Sequence, residues 1–95
     1  MTPTFEQLVR QREYFLTDPG VFRPGTRNND GVNYLIICWC LGYDPEDAIK
    51  TLIDSHQDEW GIPQIALVEE HLDRIREYLG KWGAKDTLEA YAFCV

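Results

Sequence analysis

The chain is short of nearly everything that hydrolytic or metal chemistry requires. Its 95 residues include one serine, Ser55, and two histidines, His56 and His71. Ser55 and His56 are neighbours at what reads as a helix end, where adjacent side chains point about 100° apart, so His56 does not serve Ser55 as a base. The cysteines, Cys38, Cys40 and Cys94, are odd in number and lack a Cys-x-x-Cys pair. Neither they nor the histidines have the close spacing that brings two ligands to one zinc ion. Cys38 and Cys40 stand about 200° apart around a helix, and reduced thiols that pack rather than react are expected. The Asp-x-Asp-x-Asp-Gly pattern of a calcium loop is absent as well. No catalytic residue, no metal and no cofactor is therefore predicted.

Long apolar runs are also missing. The longest, Tyr34 to Leu41, is far short of the roughly 20 residues that span a bilayer, and Met1-Thr2-Pro3 does not begin a signal peptide. The expectation is a soluble, cytoplasmic protein without a membrane partner. Basic residues are scarce: nine against sixteen acids, for a net charge of −7, which opposes indiscriminate binding to phosphate backbones or anionic lipid. The charges are segregated, however. Arg10, Arg12, Arg23 and Arg27 cluster in the first third, whereas residues 44 to 59 hold six acids against Lys50. A basic edge and an acidic face follow.

What is present is apolar material for one core. A hydrophobic content of 44%, with four Phe, three Trp and five Tyr, suffices for a single domain over residues 1–95 without disulfides. The patterning predicts an all-α bundle of four main helices. Thr2 or Thr4 caps a first helix whose Phe5, Leu8, Val9, Phe15 and Leu16 recur at helical spacing. Turn chemistry fills Thr17 to Asn29. Val32, Leu35, Ile36 and Trp39 form the stripe of a second helix, apolar nearly all round and ended by Gly42, which should be the most buried element. Asp44-Pro45-Glu46-Asp47 is an N-cap, a first-turn proline and two dipole-compensating acids, with Ala48, Ile49, Leu52 and Ile53 facing inward. After a polar exit through Gln57 to Gly61, Pro63 opens a fourth helix carrying Ile65, Val68, Leu72, Ile75 and Leu79. Asp86 and Glu89 can box a short fifth helix, although Ala90 to Val95 alternates as a strand would.

One segment carries more chemistry than turns need. Arg23-Pro24-Gly25-Thr26-Arg27-Asn28-Asn29-Asp30 sets two guanidiniums, a hydroxyl and two amides beside the start of the second helix, where oriented backbone amides favour anions. The competing reading is a capped turn in which Arg27 pairs with Asp30 or with acids of the third helix.

Gly25-Thr26-Arg27-Asn28-Asn29, an apolar helix ending Trp39-Cys40-Leu41-Gly42-Tyr43, and then Asp44-Pro45-Glu46-Asp47-Ala48 resemble the helical primase C-terminal domain (PriCT) that follows the catalytic core of many plasmid and phage primases. The resemblance covers about residues 23 to 79. It departs at Ile62-Pro63-Gln64, where family members usually show a Pro-Pro step, and the catalytic acids of a primase core are absent, so activity does not carry over. It implies a non-catalytic accessory domain of DNA replication and priming that contacts single-stranded nucleic acid or nucleotide. Arg23, Thr26, Arg27, Asn28 and Asn29 are the binding candidates, the last three being positions that match the family motif. The alternative is a small acidic phage-type regulator or inhibitor, a nucleic-acid mimic in its charge, whose face of Glu46, Asp47 and Asp54 docks on a basic protein. Trp60, Trp82 and Tyr91 with the apolar stripe of the fourth helix either form a homodimer interface or cover the core.

Overall fold

The computed structural model describes residues 4 to 79, and these form four helices, α1 (Phe5–Thr17), α2 (Arg27–Cys40), α3 (Pro45–Ser55) and α4 (Ile62–Leu79). Among the described residues there is no strand, and the fold is an all-α four-helix bundle. The fifth helix or strand expected after Asp86, and the aromatics Trp82 and Tyr91, lie outside the described residues.

Local signals set the helix starts. Thr4 and Gln7 form a capping box, the Gln7 amide donating to Thr4 Oγ1 at 3.2 Å and the Thr4 amide to Gln7 Oε1 at 2.9 Å. At α3 the Asp44 carboxylate accepts the Glu46 amide at 2.9 Å, and Pro45 occupies the first turn. α2 behaves differently from the expectation. It begins at Arg27, so that Arg27, Asn28, Asn29 and Asp30 are helical rather than part of the preceding loop. Its N-cap is Thr26, which makes no side-chain cap hydrogen bond; neither asparagine caps the helix.

α2 is the centre of the bundle and packs on α1, α3 and α4. Five consecutive residues, Tyr34 to Cys38, are fully buried, because helices surround them on every side. Leu8 and Phe15 close the core from α1, Ala48, Ile49 and Leu52 from α3, and Val68, Leu72 and Ile75 from α4. Gly31 allows the close approach of α2 to α4: a Cβ there would stand 2.5 Å from Ile75 Cδ1 and 3.4 Å from His71 Cδ2.

The α1–α2 loop is tied down through Phe22, whose ring is fully buried and whose backbone has φ 62°, a left-handed conformation that is strained for a bulky residue. Three neighbours hold it there. Its amide donates to the Asp30 carboxylate at 2.8 Å, and its carbonyl accepts from Arg27 Nε at 3.3 Å and from Gln64 Nε2 at 3.2 Å. Arg27 therefore pairs with neither Asp30 nor the acids of α3. It braces the loop instead.

His56, just after α3, and Trp60, within the expected polar exit of Gln57 to Gly61, are both core residues. His56 is 1% exposed and donates from Nε2 to the Phe15 carbonyl at 2.7 Å, satisfying one of the last carbonyls of α1. Its ring stacks on that of Trp60, with centroids 4.2 Å apart and planes 16° from parallel. Trp60 in turn packs edge-on against Phe22, and its indole nitrogen reaches the Pro19 carbonyl. Trp60 is thus a core residue rather than part of a dimer surface.

Candidate functional site

Of the residues singled out on the Arg-Asn segment, the fold brings two into a common groove. Arg27 and Asn28, in the first turn of α2, face α4 across two adjoining recesses that share His71 and Arg74. One recess is completed by Leu67 and Glu70 beside Arg27, the other by Val32 and Ile75 beside Asn28. The placement follows from helical geometry: Asn28 and Val32 are one turn apart on α2, as are His71, Arg74 and Ile75 on α4, and Gly31 lets the two rows approach.

Electrostatically the groove is mixed. Arg74 donates to Glu70 one turn earlier, an exposed pair of modest strength. His71 Nε2 is shielded from solvent and has no hydrogen-bond partner. The adjacent amides at the start of α2 are not satisfied by the Thr26 side chain, which donates to the Arg23 carbonyl and the Asp30 carboxylate, both at 3.3 Å.

The other candidates lie elsewhere. Arg23 is exposed and folds back over the loop, where a Cβ at Gly20 would meet its Nη2 at 2.6 Å. Asn29 is exposed in the first turn of α2 and is not a lining residue. Two arginines of the basic segment have partners of their own: Arg10 stands 4.0 Å from Glu6, and Arg12 lies over the Tyr43 ring, 4.3 Å from its centroid. His71 and Arg74 were not anticipated as site residues. A basic pair at three-residue spacing on the fourth helix was their only sequence signal.

On the other side of α4 a second groove, of about 500 Å³, runs between α3 and α4. Glu46 and Asp54 line it together with Glu69 and Asp73 over Ile49 and Ile53, while Asp47 stands outside. Lys50 and Arg76 offset part of this charge, and Arg76 is bound to Glu46 at 3.2 Å.

Burial and local hydrogen bonds act on the thiols and hydroxyls of the bundle. Burial pushes the Cys38 and Cys40 thiols up, against the partial opposing effect on Cys38 of Tyr34 and Arg12. Burial, reinforced by Cys38, also moves the Tyr34 phenol strongly upward, and its hydroxyl donates to the Ala48 carbonyl. Ser55 Oγ donates to the Thr51 carbonyl at 2.6 Å. No group of three His, Cys, Asp or Glu side chains among the described residues is placed to hold a metal ion, and no described helix is long and apolar enough to cross a membrane.

No family model, curated protein or solved structure matches the chain.

Proposed function

We propose that this protein is a non-catalytic helical accessory domain of DNA replication or priming that contacts single-stranded nucleic acid or nucleotide along the N-terminal edge of α2. The observation that carries this reading is the convergence of Arg27 and Asn28 with Arg74 and His71 beside backbone amides left open by the N-cap. Guanidiniums next to free helix amides are a favourable setting for phosphate oxygens. The net charge of −7 limits the affinity and makes it depend on this one edge. The likeness of about residues 23 to 79 to the primase C-terminal domain points to the same ligand class.

Titrating labelled single strands at low and moderate salt tests the reading. Arg74→Gln removes an exposed side chain without touching the core and should weaken binding and flatten the salt dependence by about 0.7 in the log–log slope, the value of one single-strand phosphate contact. Arg27→Ala should do the same, with helicity checked because Arg27 also braces Phe22. Absence of strand binding at low salt refutes the proposal.

The groove between α3 and α4 favours a second reading, a small acidic protein-binding regulator or inhibitor. Glu46 and Asp54 acquire there two further carboxylates, Glu69 and Asp73, over an apolar floor, a surface complementary to a basic helix. Charge reversal at Asp54 and Asp73 should then abolish association with a basic peptide while leaving strand binding intact.

A further inference from the structure

The two recesses between α2 and α4 are unlike each other, and the difference has chemical content. Around Arg27 and Arg74 the walls are charged. Five residues further along α2, a rise of about 7.5 Å, Val32 and Ile75 make an apolar wall flanked by the Asn28 amide and the His71 imidazole. This second recess has a volume of about 500 Å³, within the range of about 300–1,000 Å³ usual for small-molecule sites. This rise is comparable to the reach from the phosphate of a nucleotide to its base.

We infer that the groove takes a single nucleotide unit, with the phosphate between Arg27 and Arg74 and the base against Val32 and Ile75. The inference rests on the nucleic-acid reading above and adds to it a defined subsite. Each part follows from what the residues can do. Two guanidiniums from different helices can grip one phosphate from two sides. A flat base gains from covering aliphatic side chains and an imidazole edge, and a carboxamide offers both a donor and an acceptor to the base rim. Glu70 is the internal competitor: it occupies Arg74 when the groove is empty and must yield it to the phosphate.

That competition supplies a test that a merely structural role for Arg74 would not pass. Glu70→Gln should strengthen nucleoside monophosphate binding by about two- to fivefold, the equivalent of a released surface ion pair. Isothermal titration of the intact chain with a nucleoside monophosphate, the matching nucleoside and inorganic phosphate should rank the monophosphate first. It should also displace a labelled single strand. Val32→Asn, with helicity confirmed, should remove the advantage of the monophosphate over inorganic phosphate and leave phosphate binding unchanged. Strand binding that depends on Arg27 but is not displaced by monophosphate, or a Glu70→Gln protein that binds no better, overturns the subsite while the edge reading stands. Failure of strands and monophosphates alike overturns both.

Discussion

Replacing His56 separates two contributions that the fold combines in one side chain. The imidazole is 1% exposed, stacks on Trp60 and donates its Nε2 proton to the Phe15 carbonyl. His56→Phe keeps a flat ring of similar size against Trp60 and deletes the Nε2 donor together with Nδ1, a shielded nitrogen without a hydrogen bond that stands 3.7 Å from the Glu59 carboxylate, leaving a buried carbonyl at the end of α1 without its partner. Such a loss costs about 1–3 kcal/mol. His56→Ala deletes the ring as well, and a cavity of this kind adds about 2–4 kcal/mol, so the total is about 3–7 kcal/mol. Domains of this size have about 5–15 kcal/mol of stability in all, and the alanine variant should approach the unfolding threshold while the phenylalanine variant remains folded. Urea unfolding followed by far-ultraviolet circular dichroism reads both values without relying on the fluorescence of Trp60, which the substitution itself perturbs. A His56→Phe protein within about 0.5 kcal/mol of the parent, below the usual worth of one hydrogen bond, would refute the role given to the link between α1 and α3.

Other outcomes follow from the same packing. Leu35→Ala, at a fully buried position of α2, should cost about 2–5 kcal/mol in the same assay; a value below about 1 kcal/mol would mean that α2 is not the packed centre. Alkaline pH should destabilise the fold. Tyr34 and Cys38 hold their protons more tightly when folded than when unfolded, so their contribution is intact below the unfolded values, near 9 to 10, and is lost above them, by up to about 1.4 kcal/mol per pH unit for each group. Tyrosinate absorbance should show Tyr34 ionising only together with unfolding, and early, fully reversible ionisation of every tyrosine would contradict this.

Helix identity was legible wherever the cause is local. Thr4 with Gln7, Asp44 with Pro45, and the apolar run of α2 each act within a few residues, and the fold uses them as the pattern implies. The start of α2 was not legible. Asn28, Asn29 and Asp30 favour turns by bonding to nearby backbone, but in a first helical turn the amides are unsatisfied and such residues are tolerated. Asp30 has, moreover, a tertiary partner in the Phe22 amide. The core roles of His56, Trp60 and Phe22 were not decidable from the sequence because their partners are remote in it: Phe15 lies 41 residues from His56, and Gln64 lies 42 from Phe22. The groove was half legible for the same reason. Arg27 and Asn28 stand in a recognisable segment, whereas His71 and Arg74 join them only because Gly31 lets α4 come close.

The position of Cys38 makes the central helix its own reporter. Its thiol is fully buried and burial disfavours the thiolate, so an alkylating reagent must wait for α2 to be uncovered before it can react. With Cys40 and Cys94 replaced by serine, the labelling rate of the remaining thiol at low reagent concentration would count openings of the bundle, as amide exchange does, but at a single chosen place. Compared across variants, that rate would tell a ligand that merely rests on the α2 edge from one that stabilises the whole helix: only the second slows the modification of Cys38.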